Sequence, residues 1–345
     1  MKKFLILFLF AIIGFSACKN EPKTTEKTYT TFEGKTMGTY YRVTYADSLQ
    51  RNFRNDFEKL LKEINDEVST YIPTSTISQF NQSEEGLNLS GKIHFLANLT
   101  GATEVNQKSG GAFDPTVMPL VNYWGFGYTE KKPVTEVDSV KIDSMMQSVG
   151  LQHLQLIQGD SVVLKKNRTG VQLDFSGIAT GYALDTMGKF LERQGIQDYL
   201  VDIGGEQRAR GLSPRGEVWN IGINVPKETA DRTDVQVTFP LKDWSVSTSG
   251  NYRNFYVVNG IKYSHTINPK TGYPEQNTLL SASVFSKNAI AADAWATAFM
   301  VMGLDRASRL ADELPEIEAY FIYSKEDGSM AVKYSTGLKE IFDKK

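Results

Sequence analysis

Between Leu173 and Asp185 the chain reads Leu-Asp-Phe-Ser-Gly-Ile-Ala-Thr-Gly-Tyr-Ala-Leu-Asp, and few local structures accommodate that order. It predicts the end of a strand over Val171 to Phe175, a turn of small residues, and the first turns of a helix. Apolar residues then recur at Ala183, Leu184, Met187, Phe190 and Leu191, the period of a helix covering a core. Gly195 is placed to stop that helix. Small residues at a strand-to-helix turn let a ligand approach the backbone, and the helix N–H groups then face an anion. Asp174 stands just before the turn, where its carboxylate can hydrogen-bond a ligand edge or meet a metal. Many α/β turns share this composition and bind nothing, so the weight of the stretch comes from its surroundings.

The chain begins with a segment of another kind. Lys2 and Lys3 precede an apolar run from Phe4 to Ile13, and small residues follow up to Ala17, so residues 1–17 read as a secretory signal peptide. The run is short for a membrane span, which needs ~20 residues. Cys18 is the only cysteine, so no internal disulfide can form. Its place after Ser16-Ala17 resembles a bacterial lipobox, with Phe15 where Leu is usual. There the cysteine carries acyl chains such as palmitate and becomes the mature N-terminus. The alternative is an ordinary signal peptide with an incidental cysteine. Residues 18–30 then form a lipidated N-terminus and a polar, flexible tether, rich in Lys, Glu and Thr. Residues 31–345 hold the functional domain. With 38 Lys and Arg against 40 Asp and Glu and no basic cluster, nucleic acid is not an expected partner.

Along the domain, Thr39, Tyr41, Val43 and Tyr45 alternate as in a strand, and Phe53 to Val68 carries the period of an amphipathic helix. Ser75 is read as the cap of a short helix through Phe80, and further helices are expected over Lys92–Gln107 and Glu136–Val149. Gly159-Asp160 turns a hairpin, Tyr199–Ile203, Trp219–Val225 and Val235–Phe239 are strands, and Asn259-Gly260 marks a two-residue hairpin. Leu279–Phe285 leads into an alanine-rich helix over Ala289–Met302. A helix over Asp305–Glu313 and a hairpin at Glu326–Gly328 close the chain.

The alanine-rich helix contains Asp293 among almost entirely apolar neighbours, so it is expected to be buried, where an unpaired carboxylate is costly. Thr297 follows four residues on, hence on the same helix face. A carboxylate and a hydroxyl stacked there are hard oxygen ligands suited to Mg²⁺, which keeps few protein ligands and shares phosphate oxygens. The competing reading pairs Asp293 with a buried Arg or has it cap a neighbouring loop. Of the three histidines, His94 and His153 read as packing or surface residues. His265 ends a hairpin strand before a Pro/Gly turn, where sites are commonly built. Ser247–Gly250 is a second polar cluster of that kind.

Eight blocks in order carry a family resemblance: Met37-Gly38-Thr39, Gly110–Thr116, Trp124–Gly127, Asp174–Asp185, Asp202–Glu206, Ser247–Gly250, Tyr263–Gly272 and Asp293–Thr297. Together they resemble the ApbE family, the FAD:protein FMN transferases, once described as thiamine-biosynthesis lipoproteins. The resemblance implies an α+β fold of mixed or antiparallel sheets flanked by helices, with FAD in a cleft between lobes. It implies Mg²⁺-dependent transfer of FMN from FAD, as substrate, to a threonine hydroxyl of an acceptor protein, releasing AMP. By motif, Asp293 and Thr297 become side-chain Mg²⁺ ligands with a backbone carbonyl at Gly177. Met37, Tyr71, Ala112, Phe113, Asp114, Asp174, Thr180 and Ile267 are placed at the FAD site. His265 is the candidate to take the hydroxyl proton, the other reading being that it orients a loop or touches flavin. Two positions depart from the family's usual Gly-Gly-Ile-Ala-Lys-Gly turn: Ser176 replaces the first Gly and Thr180 the Lys, removing a cation that faces phosphate. The signal segment and the lipobox-like Cys18 are read as placing the protein outside the cytoplasm, lipid-anchored to a bacterial membrane on its periplasmic face. The acceptor implied is a subunit of a membrane or exported redox complex. Mg²⁺-dependent hydrolysis of FAD to FMN and AMP, and a non-catalytic lipid-anchored flavin carrier, are the alternatives.

Overall fold

A computed structural model describes residues 27–129, 133–227, 234–252 and 254–339. The expected signal peptide, Cys18 and most of the tether lie outside the described residues. The strands are β1 (Tyr29–Thr36), β2 (Thr39–Ala46), β3 (Gly86–Asn88), β4 (Leu154–Gln158), β5 (Val162–Lys166), β6 (Tyr199–Ile203), β7 (Glu206–Arg210) and β8 (Trp219–Asn224). They continue with β9 (Val235–Leu241), β10 (Ser245–Gly250), β11 (Phe255–Val258), β12 (Ile261–Ser264), β13 (Leu279–Ser286), β14 (Ile317–Ser324) and β15 (Met330–Tyr334). The helices are α1 (Arg54–Val68), α2 (Thr76–Gln82), α3 (Ile93–Ser109), α4 (Met118–Tyr123), α5 (Ser139–Met146), α6 (Ala179–Arg193), α7 (Ala289–Met302) and α8 (Leu304–Glu313). None of them is long and apolar enough to cross a membrane.

The frame is one eight-stranded sheet in the order β1-β2-β6-β7-β10-β13-β14-β15, antiparallel throughout. Successive side chains of a strand point to opposite faces, and β14 shows both sides. Ala319 and Phe321 join the large core beneath α1, α3, α6 and α7, while Tyr320 and Ile322 pack under the β8–β9 ribbon with Trp219, Ile221 and Phe239. A third, aromatic cluster built on Leu120, Trp124, Ile142, Val149 and Ile267 forms a small lobe outside the sheet. The α+β architecture expected from the sequence is therefore present, with helices on one face and lobes to either side.

Several local expectations are corrected. β1 starts at Tyr29, inside the segment read as tether, and Thr30 is already paired with Tyr45. Residues 171–175 are extended but make only a single bridge, Gln172 to Val117, because the Leu173 backbone bonds the Asn81 side chain of α2 and the Asp174 amide the Pro115 carbonyl. The helix read over Glu136–Val149 is only Ser139–Met146, starting where the Asp138 side chain accepts from the Lys141 amide. Ser247–Gly250, read as a polar cluster at a strand end, is the last part of a central strand, β10. Its small polar residues let α7 lie close to the sheet, and Thr248 and Ser283 hydroxyls meet at 2.8 Å across β10 and β13.

Candidate active site

Two loops of the same construction bring the first pair of carboxylates together. In Asp114-Pro115-Thr116 the Asp114 Oδ1 accepts from the Thr116 N–H at 2.8 Å and its hydroxyl at 2.6 Å. In Asp174-Phe175-Ser176 the Asp174 Oδ1 accepts from the Ser176 N–H at 2.8 Å and its hydroxyl at 2.6 Å. Short polar side chains closing on the backbone two residues away are what Asp, Ser and Thr favour in turns. The Asp174 amide donates to the Pro115 carbonyl at 2.7 Å, which ties the loops side by side. Ser176, one of the two departures from the family's turn, is thus the residue that locks Asp174.

The second pair of acids comes from helix ends. The first amides of a helix lack intrahelical partners. At the start of α7, Asp185 of α6 accepts from the Ala289 and Ile290 amides, both at 3.0 Å, and from Arg208 Nη1 at 2.7 Å. At the start of α6, Asp293 of α7 accepts from the Gly181 amide at 2.9 Å. Each helix therefore caps the other. Gly181 permits this approach, since a Cβ there would stand 2.2 Å from the Ala289 carbonyl oxygen. Asp293 thus caps a neighbouring helix, where the alternative sequence reading has it cap a loop or pair with an Arg, and the same carboxylate also lines the cleft.

The sheet supplies the rest. Glu206, at the start of β7, accepts from the Ser247 hydroxyl at 2.8 Å, and Ser249 lies 3.2 Å from Thr297 Oγ1. Gly177 is close to Thr297 as well: a Cβ on it would sit 2.8 Å from that hydroxyl and 3.2 Å from the Phe113 ring. From the small lobe, His265 Nδ1 donates to the Asn254 carbonyl at 3.2 Å, which leaves Nε2 with its lone pair.

These parts enclose a cleft of about 480 Å³ between the sheet, the α6–α7 pair and the small lobe. Of the residues assigned to the site, Tyr71, Ala112, Phe113, Asp114, Asp174, Gly177, His265, Ile267, Asp293 and Thr297 line it. Met37 and Thr180 do not. Met37 occupies a left-handed turn (φ +48°) between β1 and β2 and packs on the large core, and Thr180 lies within the first turn of α6, off the cleft wall. Sequence reasoning missed Glu206 as a site residue, although it ends the Asp202–Glu206 block. A carboxylate directly after two glycines at a hairpin end was the available signal.

Burial pushes the Asp293 carboxyl up to about 7, against the lowering effect of the α6 amides. Glu206 is driven well above the carboxylate range, first by burial and then by the Asp293 charge. Asp114 and Asp174 are also raised by burial, and His265 is lowered by it. Four carboxyl groups thus face the cleft, with no Lys or Arg among its described lining residues. An anionic ligand in such a site calls for protons on these acids or for a cation beside them. Among the described residues no three His, Cys, Asp or Glu gather as a complete metal cage. One carboxylate, one hydroxyl and a carbonyl suit Mg²⁺, which completes its shell with water and phosphate oxygens.

A family model described as the ApbE family matches residues 37–321. The FAD:protein FMN transferase of Vibrio cholerae serotype O1 is 36% identical over 301 residues, 86% of this chain and 87% of that protein. That of Escherichia coli strain K12 is 34% identical over 342 residues, 97% and 96% of the two chains. Among solved structures, the flavin transferase ApbE from Vibrio cholerae matches with a TM-score of 0.81 at 34% identity, covering 91% of this chain and 99% of that one. The apo Pseudomonas stutzeri flavinyl transferase ApbE gives 0.81 at 32% identity, with 92% and 97% covered.

Proposed function

The chain belongs to the ApbE family, and on that premise we propose that its cleft moves FMN from FAD onto a threonine hydroxyl of an acceptor protein, with Mg²⁺ bound and AMP leaving. It is an enzyme, an FAD:protein FMN transferase. The observation that carries the finer reading is the meeting of Asp293, Thr297 and Gly177 in a cleft with four carboxyl groups and no described Lys or Arg. Asp293, Thr297 and the Gly177 carbonyl would hold the ion. Mg²⁺ supplies charge neutralisation on the pyrophosphate, the main demand of phosphoryl-type transfer.

The chain's own residues do the remainder. Tyr71, 59% exposed at the cleft, offers a ring face for stacking on an aromatic part of FAD. His265 takes the proton of the acceptor hydroxyl at Nε2, since Nδ1 is committed to the Asn254 carbonyl. The hydroxyl oxygen forms a bond to the FMN-side phosphorus. The bond from that phosphorus to the bridging oxygen breaks, and AMP departs with that oxygen. Asp114 and Asp174, fixed by their own turns, position FAD through its hydrogen-bond donors.

The protein's place in the cell belongs to the same proposal: exported, lipidated at Cys18, and serving redox subunits that are membrane-bound or exported. The sequence features at residues 1–18 support it. Incubation with FAD, Mg²⁺ and a candidate acceptor, followed by intact-mass measurement of both proteins, tests the reaction. The acceptor is expected to gain one FMN through a phosphoester, with AMP in equal amount. FMN and AMP appearing beside an unmodified acceptor would favour FAD hydrolysis instead.

A further inference from the structure

The small lobe carries a two-stranded sheet, β11–β12, that joins no other strand. Its turn is Asn259-Gly260, with φ of +51° and +77°, the left-handed pair that a type I′ hairpin needs. In a two-residue hairpin the pair next to the turn exchanges hydrogen bonds, and bonded pairs then alternate along the ladder. Val258–Ile261 and Tyr256–Tyr263 are therefore the bonded pairs. The His265 amide continues the pattern, donating to the Asn254 carbonyl at 3.1 Å. Phe255 and Val257 consequently turn their N–H and C=O groups outward from β11. No described residue bonds them. On the opposite edge the outward Lys262 carbonyl is already taken by the Gln276 side chain.

This open edge is rigidly mounted. Tyr256 and Tyr263 stack on each other at 5.5 Å, with Phe126 stacked on Tyr256 and Trp124 on Tyr263, both at 5.3 Å. The Trp124 indole N–H donates to the Gly272 carbonyl at 2.8 Å. The edge also points at the chemistry, because β11 begins directly after Asn254, which lines the cleft opposite His265. Val257 is 57% exposed on one face of the hairpin and Ile261 49% exposed on the other. An unpaired edge with an apolar flank is a template for an added strand.

We propose that the free edge of β11 is the docking strand for the acceptor: an extended segment of the acceptor protein pairs with Phe255 and Val257 and carries its hydroxyl to His265. The proposal rests on the transferase reading, which requires a protein segment to reach this cleft. It explains how a site lined for a small substrate takes a macromolecular one, with backbone pairing setting register and Val257 contacting alternate side chains. At ~3.4 Å per residue, Val257 stands ~10 Å from Asn254, so the segment's anchor lies about three residues from its reacting hydroxyl.

The test uses the full enzyme, a protein acceptor that the wild type modifies, and two variants. Val257→Pro removes the outward donor, and Val257→Lys keeps the backbone but opposes strand addition. The acceptor KM should rise about tenfold in the proline variant, the equivalent of one lost hydrogen bond of ~1.4 kcal/mol, with the FAD KM within about twofold of wild type. In wild type, amide exchange at Phe255 and Val257 should slow when acceptor is added. Unchanged acceptor KM in both variants, or unchanged exchange at both amides, overturns the docking strand while leaving transfer itself intact. Slowed exchange that depends on enzyme concentration without acceptor assigns the edge to a second copy of this chain and overturns it too. Absence of transfer to any acceptor by the wild type defeats the transferase reading, and the docking strand with it.

Discussion

Burying a carboxylate costs several kcal/mol unless donors or a cation surround it, and Asp293 meets only part of that demand from the amides of α6. Its partner in the cleft, Glu206, adds like charge where donors are already few. Two acids held this way favour protons or a divalent ion over bare charge. His265 shows the same burial with the opposite sign, since burial disfavours its cationic form. The imidazole is therefore neutral at neutral pH, with Nε2 ready to accept a proton. With Mg²⁺ saturating, so that the ion would keep Asp293 unprotonated, the rate of single-turnover transfer should be flat near pH 7 and fall only below the ordinary histidine range of ~6.5. His265→Asn should lower that rate by about 10²–10⁴-fold and remove the acid limb. An acid limb that survives unchanged in the variant would assign the proton acceptor elsewhere.

At the scale of elements, the site depends on two helices that cap each other, α6 through Asp293 and α7 through Asp185. Arg208 braces the second cap and also donates to the Lys287 carbonyl at 2.8 Å. Gly181→Ala would put a methyl group 2.2 Å from the Ala289 carbonyl oxygen, in a contact between backbones that cannot yield cheaply. The variant should lose about 1–3 kcal/mol in chemical denaturation. Transfer should fall by about 10²-fold if Asp293 moves by ~1 Å. Wild-type stability and rate in Gly181→Ala would show that the close approach is not needed. None of this was readable along the chain, because a cap supplied by another helix leaves no local signature. Elements with strong local chemistry were readable: the Asn259-Gly260 turn, the Phe53–Val68 periodicity and the Ser75 cap, which accepts from the Ser78 amide. β10 was not, since Ser245–Gly250 alternates serine with only two strand-favouring residues, Val246 and Thr248, before a glycine. Residues 171–175 misled in the other direction, apolar enough for a strand yet bonded to the Asn81 side chain and the Pro115 carbonyl. The burial of Asp293 was legible because almost every neighbour in its alanine-rich helix is apolar, whereas Met37 and Thr180 followed from motif position alone and are not among the residues that line the cleft.

For the molecule as a whole, the sheet separates the chain's entry from its chemistry. β2 begins, β6 ends, β7 begins and β10 ends at one end of the sheet, where Glu206 and Ser249 face the cleft. The Met37-Gly38 turn lies at that same end. Tyr29, where β1 begins, is at the other end, eight residues or ~27 Å away along the strand. A chain attached to a membrane through Cys18 would therefore enter the domain opposite its cleft, and the anchor would govern which partners are met without touching the reaction. Confinement to a shared surface raises the effective concentration of membrane-bound acceptors and does nothing for soluble ones. Cys18→Ser should accordingly release the protein from the membrane fraction or leave the precursor uncleaved. The purified variant should transfer FMN to a detached, soluble acceptor domain within about twofold of the wild-type rate, because proximity contributes nothing there. Flavinylation of membrane-bound acceptors in cells, read as flavin fluorescence on denaturing gels, should decline. Unchanged membrane association with normal processing in Cys18→Ser would remove the lipid anchor from the account, and a slowed reaction on the soluble acceptor would mean that the N-terminus reaches the cleft after all.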